Sequence, residues 1–273
     1  MSNPMQCGRD LMKGYPMAFG EDPRNPELQS DQRKGVGAPP LQRPYDRGAS
    51  RVVTLPAPTR EVLVRADLFE LIAQRQSRRS YTGDPLSQGK LSFLLWATQG
   101  VHVANTEKNY SRRTVPSAGS RHPYETYLRV ARVEGIEPGL YRYLPLTHEL
   151  LFLDARPSLR EELFVLTDRE EWAADAPVFF LWSCVPYRGE WRYYTMSHKS
   201  MLLDAGHIAQ NLYLAAEAMG CGACTLGGYW QEGADRFCGV DGVDEYVVYL
   251  AAVGRIPSQS SEEVELCEDS RST

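Results

Sequence analysis

The chain has 273 residues, of which 42% are hydrophobic and 24% charged, with a formal net charge of −5. This is the composition of a globular protein and excludes a disordered or fibrous chain. The acidic balance offers no overall basic field for a nucleic-acid backbone, and no run approaches the ~18 apolar residues a membrane span needs.

Residues 1–60 hold nine of the 18 prolines. Proline fixes φ and removes a donor, so this region reads as an extended Pro-rich arm. Its segment Gly35 to Leu41 is too apolar for a free tail and is expected to lie on the domain or on a partner. Met1 to Asp10 lacks an apolar core, so no signal peptide is expected. With six cysteines, this makes reduced thiols and a cytoplasmic location the expectation.

Residues 61–256 read as one domain. Leu68, Leu71 and Ile72 predict a helix over 66–75. Ser87 as N-cap and Gly100 as terminator bracket a second. Glu125 to Val133 alternates as a strand, and 140–143 with 150–153 form a hairpin. Ser158 caps a helix through Leu166. Pro177 to Val185, rich in β-branched and aromatic residues, predicts a central strand. Met201 to Met219 is apolar on nearly every side, which predicts burial in a core or an interface, with Gly220 as its left-handed cap. A last strand runs from Tyr246 to Val253. Mixed helices and strands without strict alternation favour α+β. Residues 257–273, rich in Ser and Glu, read as an acidic disordered tail.

Phosphate-loop, HExxH and GxSxG patterns are absent. The glycine-rich stretch Gly220 to Gly228 follows a helix rather than a strand, which excludes a Rossmann turn. Cys221 and Cys224 form a CxxC without a second ligand pair, so they read as packing residues and no metal is expected. Arg75 to Tyr81 gathers three arginines and two serines, a phosphate-binding combination or a solvated basic helix end. Val115 to Glu125 packs small residues and hydroxyls before a strand; it lets a flat ligand approach the backbone, or it is a plain turn.

Taken in order, RxSxRxY from Arg75, LSxLLWAxxG from Leu91, PSAGxxxPxExY from Pro116, GLYRYxPxxHxLxxL from Gly139, the segment Asp204 to Tyr229 and DExVxYLAAVGR from Asp244 resemble the nitroreductase family of flavoproteins. Within it they are most similar to the SagB-type dehydrogenase branch, over about residues 30 to 256. The resemblance implies a nitroreductase-like fold, with a central mixed or antiparallel sheet flanked by helices, in an intertwined homodimer binding FMN at its interface. It implies Arg75, Gln76 and Ser77 at the phosphate and ribityl chain, and Arg79 at the pyrimidine edge. Pro116, Ser117, Ala118, Gly119 and Ser120 are expected along the ring, Leu226, Gly227 and Gly228 on its other side, and Arg255 near the phosphate. Tyr193 and His122 are the expected catalytic residues, with His198 and Lys199 lining the substrate slot. Trp182, Trp191, Tyr194 and Trp230 are further stacking candidates. Where azoline oxidases carry a Lys-Tyr pair, this chain has Arg192-Tyr193. His207 is expected as a structural histidine sharing a helix face with Asp204. The implied function is an FMN-dependent oxidoreductase exchanging hydride at flavin N5, from NAD(P)H to a nitro, quinone or other small-molecule acceptor. The alternatives are a SagB-type tailoring dehydrogenase passing electrons to oxygen, and a flavin-binding protein without turnover.

Overall fold

A computed structural model describes residues 4–13 and 29–257. In chain order it contains α1 (Pro4–Lys13), β1 (Val52–Thr54), α2 (Leu68–Gln74), α3 (Gln88–Gln99), β2 (Val101–Asn105), β3 (Tyr110–Arg113), β4 (Tyr124–Val130), β5 (Gly139–Leu144), β6 (Glu149–Asp154), α4 (Leu159–Leu166), α5 (Glu171–Ala174), β7 (Val178–Cys184), α6 (Tyr187–Tyr193), α7 (Ser197–Ala218), β8 (Cys221–Leu226), α8 (Gln231–Cys238) and β9 (Tyr246–Arg255). The expected tail lies outside the described residues except for Pro257. Within the expected arm, Pro4–Lys13 is helical rather than extended. Proline stands at the first helical position, where its fixed φ is favourable, and Met, Gln, Leu and Lys follow.

The strands form a seven-stranded sheet in the order β1-β6-β5-β4-β7-β9-β8, with every pairing antiparallel. All seven residues of β7 are buried, as its unbroken apolar run requires of a strand covered on both faces. One face packs against α3 and α7, where Leu91, Leu94, Leu95 and Leu212 are fully buried. The other packs against α4, α5 and α8 through Leu163, Ala173 and Phe237. Each such leucine removed from water contributes about 1.5–3 kcal/mol. Ser87 caps α3, accepting from the Lys90 amide at 3.3 Å. Gly220 takes φ +65 just after α7, in the left-handed cap its position predicts.

Strand β8 occupies a stretch that reads as a glycine loop. Glycine weakens strands, but here it admits a neighbour. A Cβ on Gly222 would lie 2.6 Å from Ile256 Cγ2 and 2.8 Å from Arg78 Cβ, so only glycine lets residues 77–78 lie along the sheet edge. Ser77 bridges to Ala223 in parallel, and the Arg78 amide donates to the Ala223 carbonyl at 3.0 Å.

Residues 29–58 form a strap across the domain. The Gln32 amide donates to the Trp191 carbonyl at 2.8 Å, and Trp191 Nε1 returns a bond to the Val36 carbonyl at 2.9 Å. Arg43 reaches the Tyr127 hydroxyl and Glu245, and Arg47 grips Glu149 through two bonds of 2.7 and 2.8 Å. The strap thus lies on the domain, held by backbone bonds, by the pairing of β1 with β6 and by Arg43 and Arg47.

Candidate functional site

Helix α7 holds two clusters of candidate residues. Asp204 organises one and Tyr213 the other. They are nine residues apart, which at roughly 100° and 1.5 Å per residue puts them on opposite sides of the helix and ~13 Å apart along it.

The first cluster is the loop before β4. Ser117 Oγ donates to Asp204 Oδ2 at 2.6 Å, and the Ala118 amide donates to Oδ1 at 3.3 Å. Ser117 Oγ also accepts from the His122 amide at 2.9 Å. Burial pushes the Asp204 carboxyl above its ordinary value, against the pull of Ser117 and Ala118. These bonds hold Gly119, Ser120 and His122 at φ +59, +55 and +44, a region most side chains avoid. A Cβ on Gly119 would lie 2.6 Å from Arg192 Cδ, Arg192 Nε and the Tyr193 hydroxyl. Glycine there is what lets the end of α6 close on the loop, bringing Tyr193 onto the predicted Pro116–Ser120 segment.

His122 takes a different place from the one its sequence suggests. It is only 5% exposed, with Nε2 3.0 Å from the Ser111 carbonyl. Burial, then the Arg113 guanidinium, pushes its pKa down to about 3. With its amide on Ser117 Oγ and Nε2 facing a carbonyl, the residue is tied into the loop. His207 also differs from expectation: it is exposed, and Asp204 holds the loop serine. The exposed side of α7 also carries Leu202 and Leu203 at 51% and 57%, so part of its apolar surface is left uncovered within one chain.

The second cluster lies at the sheet edge. Ser77 Oγ and the Tyr213 hydroxyl are 3.0 Å apart, and that hydroxyl accepts from the Thr225 amide at 3.0 Å. The Tyr249 hydroxyl donates to Thr225 Oγ1 at 2.8 Å. Arg75, at the end of α2, places its guanidinium carbon 5.2 Å from the Tyr213 ring centre. Among the described residues it has no carboxylate within ion-pair distance. Two residues beyond Thr225, Gly227 and Gly228 are exposed, and a Cβ on either would meet nothing within 4 Å. An unopposed guanidinium, a hydroxyl and an open diglycine edge fit a phosphate-bearing planar ligand.

The other candidates stand elsewhere. Arg79 lies over Trp172 at 5.6 Å, Arg255 faces Asp84 at 3.6 Å, and Gln76 is exposed. His198 Nε2 meets Glu190 at 2.7 Å, which raises its pKa, while Lys199 is exposed. Trp182 is core, Trp191 is covered by the strap, Tyr194 is half-buried, and Trp230 is exposed beneath Arg236 at 5.1 Å. Cys221 and Cys224 are both buried, and no metal-holding group of His, Cys, Asp and Glu occurs among the described residues. No described helix is long and apolar enough to cross a membrane. Of the organising pair, Asp204 opens a motif segment but reads there only as a neighbour of His207, and Tyr213 is no motif residue. The available signal was their polarity inside an apolar helix.

A model of the nitroreductase family matches residues 72–255. A Methanocaldococcus jannaschii protein named as a candidate nitroreductase, MJ1384, is 31% identical over 189 residues, 69% of this chain and 90% of that one. The crystal structure of a candidate nitroreductase from Anabaena variabilis superposes with TM-score 0.62 at 24% identity, covering 78% of this chain; this chain spans 43% of it. A chain of the Escherichia coli microcin synthetase McbBCD complex, solved with truncated pro-MccB17 bound, superposes with TM-score 0.57 at 18% identity, covering 94% of this chain and 95% of that one. These two structures share the fold.

Proposed function

The chain belongs to the nitroreductase family, and from that premise we propose that it is an FMN-dependent oxidoreductase working as a homodimer. The observation that carries the reading is the Arg75–Ser77 pair, fixed by Tyr213 at the sheet edge beside the open Gly227-Gly228 and lacking a carboxylate. Arg75 and Ser77 hold the phosphate. Leu226, Gly227 and Gly228 lie against one side of the ring, and the Pro116–Ser120 loop of a second copy runs along it so that part of the other face stays open for a substrate. Two observations support that division. Asp204 and Tyr213 face opposite ways on α7, and the exposed Leu202 and Leu203 leave an apolar face for a second chain.

Bound FMN supplies hydride exchange at N5. The chain's own residues supply position and charge. Arg79, whose charge also reaches Cys224 of β8, adds positive potential around the same edge, while Arg255 is balanced by Asp84. Tyr193, on Gly119, orients a substrate over the loop, and NAD(P)H and then a nitro or quinone acceptor occupy that slot in turn. His122 keeps the loop in shape.

The test is a visible spectrum of the purified protein, with mass identification of whatever denaturation releases. Flavin bands and FMN at about one per chain are expected. A colourless protein that takes up no added FMN overturns the reading.

A further inference from the structure

Four guanidinium groups surround the loop at 117–122. Arg188 pairs with buried Glu125. Arg113 donates to Gln99 Oε1 at 2.7 Å and to the Leu41 carbonyl at 3.0 Å. Arg121 donates to the carbonyls of Arg188 and Asn109 at 3.2 and 3.0 Å and stacks 4.7 Å from the Trp191 ring centre. Of these partners only Glu125 carries charge, and the other acid at the loop, Asp204, is bonded to Ser117 and the Ala118 amide rather than to a guanidinium. Burial, then Arg192 and Arg188, lowers the pKa of Arg121, which registers the mutual repulsion.

Arg192 is the fourth. It makes no hydrogen bond or ion pair among the described residues, and its Nε is buried without a partner. The nearby Glu190 is engaged by His198. The Arg192 stem rests on Gly119, and its guanidinium carbon lies 5.4 Å from the Tyr193 ring centre. A guanidinium stays protonated near neutral pH, so it cannot serve as a base; its planar fork matches one carboxylate.

We propose that Arg192 binds a carboxylate of the substrate, which makes that substrate an organic acid whose flat part lies over the 117–120 loop. The term substrate rests on the oxidoreductase reading above; the anion site rests on Arg192 and its neighbours. The acids near the loop are engaged by other groups, Glu125 by Arg188, Glu190 by His198 and Asp204 by Ser117 and the Ala118 amide, and none pairs with Arg192. The charge is placed to choose among small acceptors rather than to drive the chemistry.

Calorimetric titration of the purified protein with benzoate and with its uncharged analogue benzamide tests this without turnover. Wild-type protein should prefer benzoate by ~10-fold at low salt. Arg192→Gln should abolish the preference, and Arg192→Lys should retain part of it, showing that the fold is intact. Equal binding by wild type, or a preference that survives in Arg192→Gln, overturns the proposal. A lowered flavin midpoint potential in Arg192→Gln without a change in benzoate preference would assign the guanidinium to the cofactor and also overturn it. Absence of flavin from wild-type protein sinks the oxidoreductase reading and leaves the benzoate comparison fully readable.

Discussion

The two clusters on α7 are built in opposite ways. Around Asp204 the polar groups satisfy one another: Ser117 donates and accepts, the Ala118 amide is capped, and His122 is buried and neutral. Around Tyr213 the groups are positioned but left open, with Ser77 exposed and Arg75 lacking an acid. The difference teaches that a hydroxyl-rich loop makes shape when a buried carboxylate takes its hydroxyls. A site for an anion is marked by a fixed cation that nothing neutralises.

Substitutions in the closed region should therefore cost stability. The largest loss is expected at Glu125, which lies under the loop and holds Arg188. Glu125→Gln leaves a buried guanidinium without its charge partner and should cost about 3–5 kcal/mol in denaturant unfolding. Burial alone would raise the Glu125 pKa, but Arg188 and Arg142 outweigh it and hold the carboxyl below its ordinary value. The stability it contributes is thus present above the unfolded pKa of ~4.3 and is lost as pH falls through the folded value.

Asp204→Ala should cost about 1–3 kcal/mol, because the Ser117 hydroxyl and Ala118 amide lose their acceptor. Here the sign with pH reverses. A carboxyl raised by burial binds its proton more tightly when folded, so wild-type stability from this group falls as pH rises through the unfolded value of ~3.9 toward the folded one. The gap between Asp204→Asn and wild type should therefore narrow with rising pH. A gap that widens would mean that Asp204 is stabilised as a charge.

Two glycines sharpen the contrast further. Gly119→Ala meets positive φ and a 2.6 Å contact, so it should cost about 1 kcal/mol or more and displace Tyr193. Gly228→Ala meets nothing, so its stability should change by less than ~0.5 kcal/mol while FMN retention falls. The smallest stability effect is expected in the open cluster. Arg75→Ala should stay within ~0.5 kcal/mol of wild type in unfolding while weakening FMN retention by ~10-fold, read by dialysis and absorbance.

Much of this frame is legible in the sequence because local rules determine it. Ser87 and Gly100 bracket α3, and the apolar run of β7 appears where periodicity places it. Strand β8 escapes such reading, because its one glycine, Gly222, answers to Arg78 and Ile256, which only the folded sheet brings near. The same holds for Asp204. Helical spacing pairs it with His207, but the loop that claims it starts 87 residues earlier. Tyr193 was marked by its place in a motif; the free charge on its neighbour Arg192 became visible only when its surroundings were known.

The central claim is that one ligand site is assembled from the open cluster of one chain and the closed loop of another. Co-expression of Arg75→Ala and Gly119→Ala chains under separate tags, with capture of the mixed dimer, tests it most directly. If the site is shared, each variant alone should hold little FMN, and the mixed dimer should regain flavin, since one of its two sites then combines an intact Arg75 with an intact Gly119. If one chain carries the whole site, each chain remains defective in the mixture, and a mixed dimer no better than either parent would contradict the account.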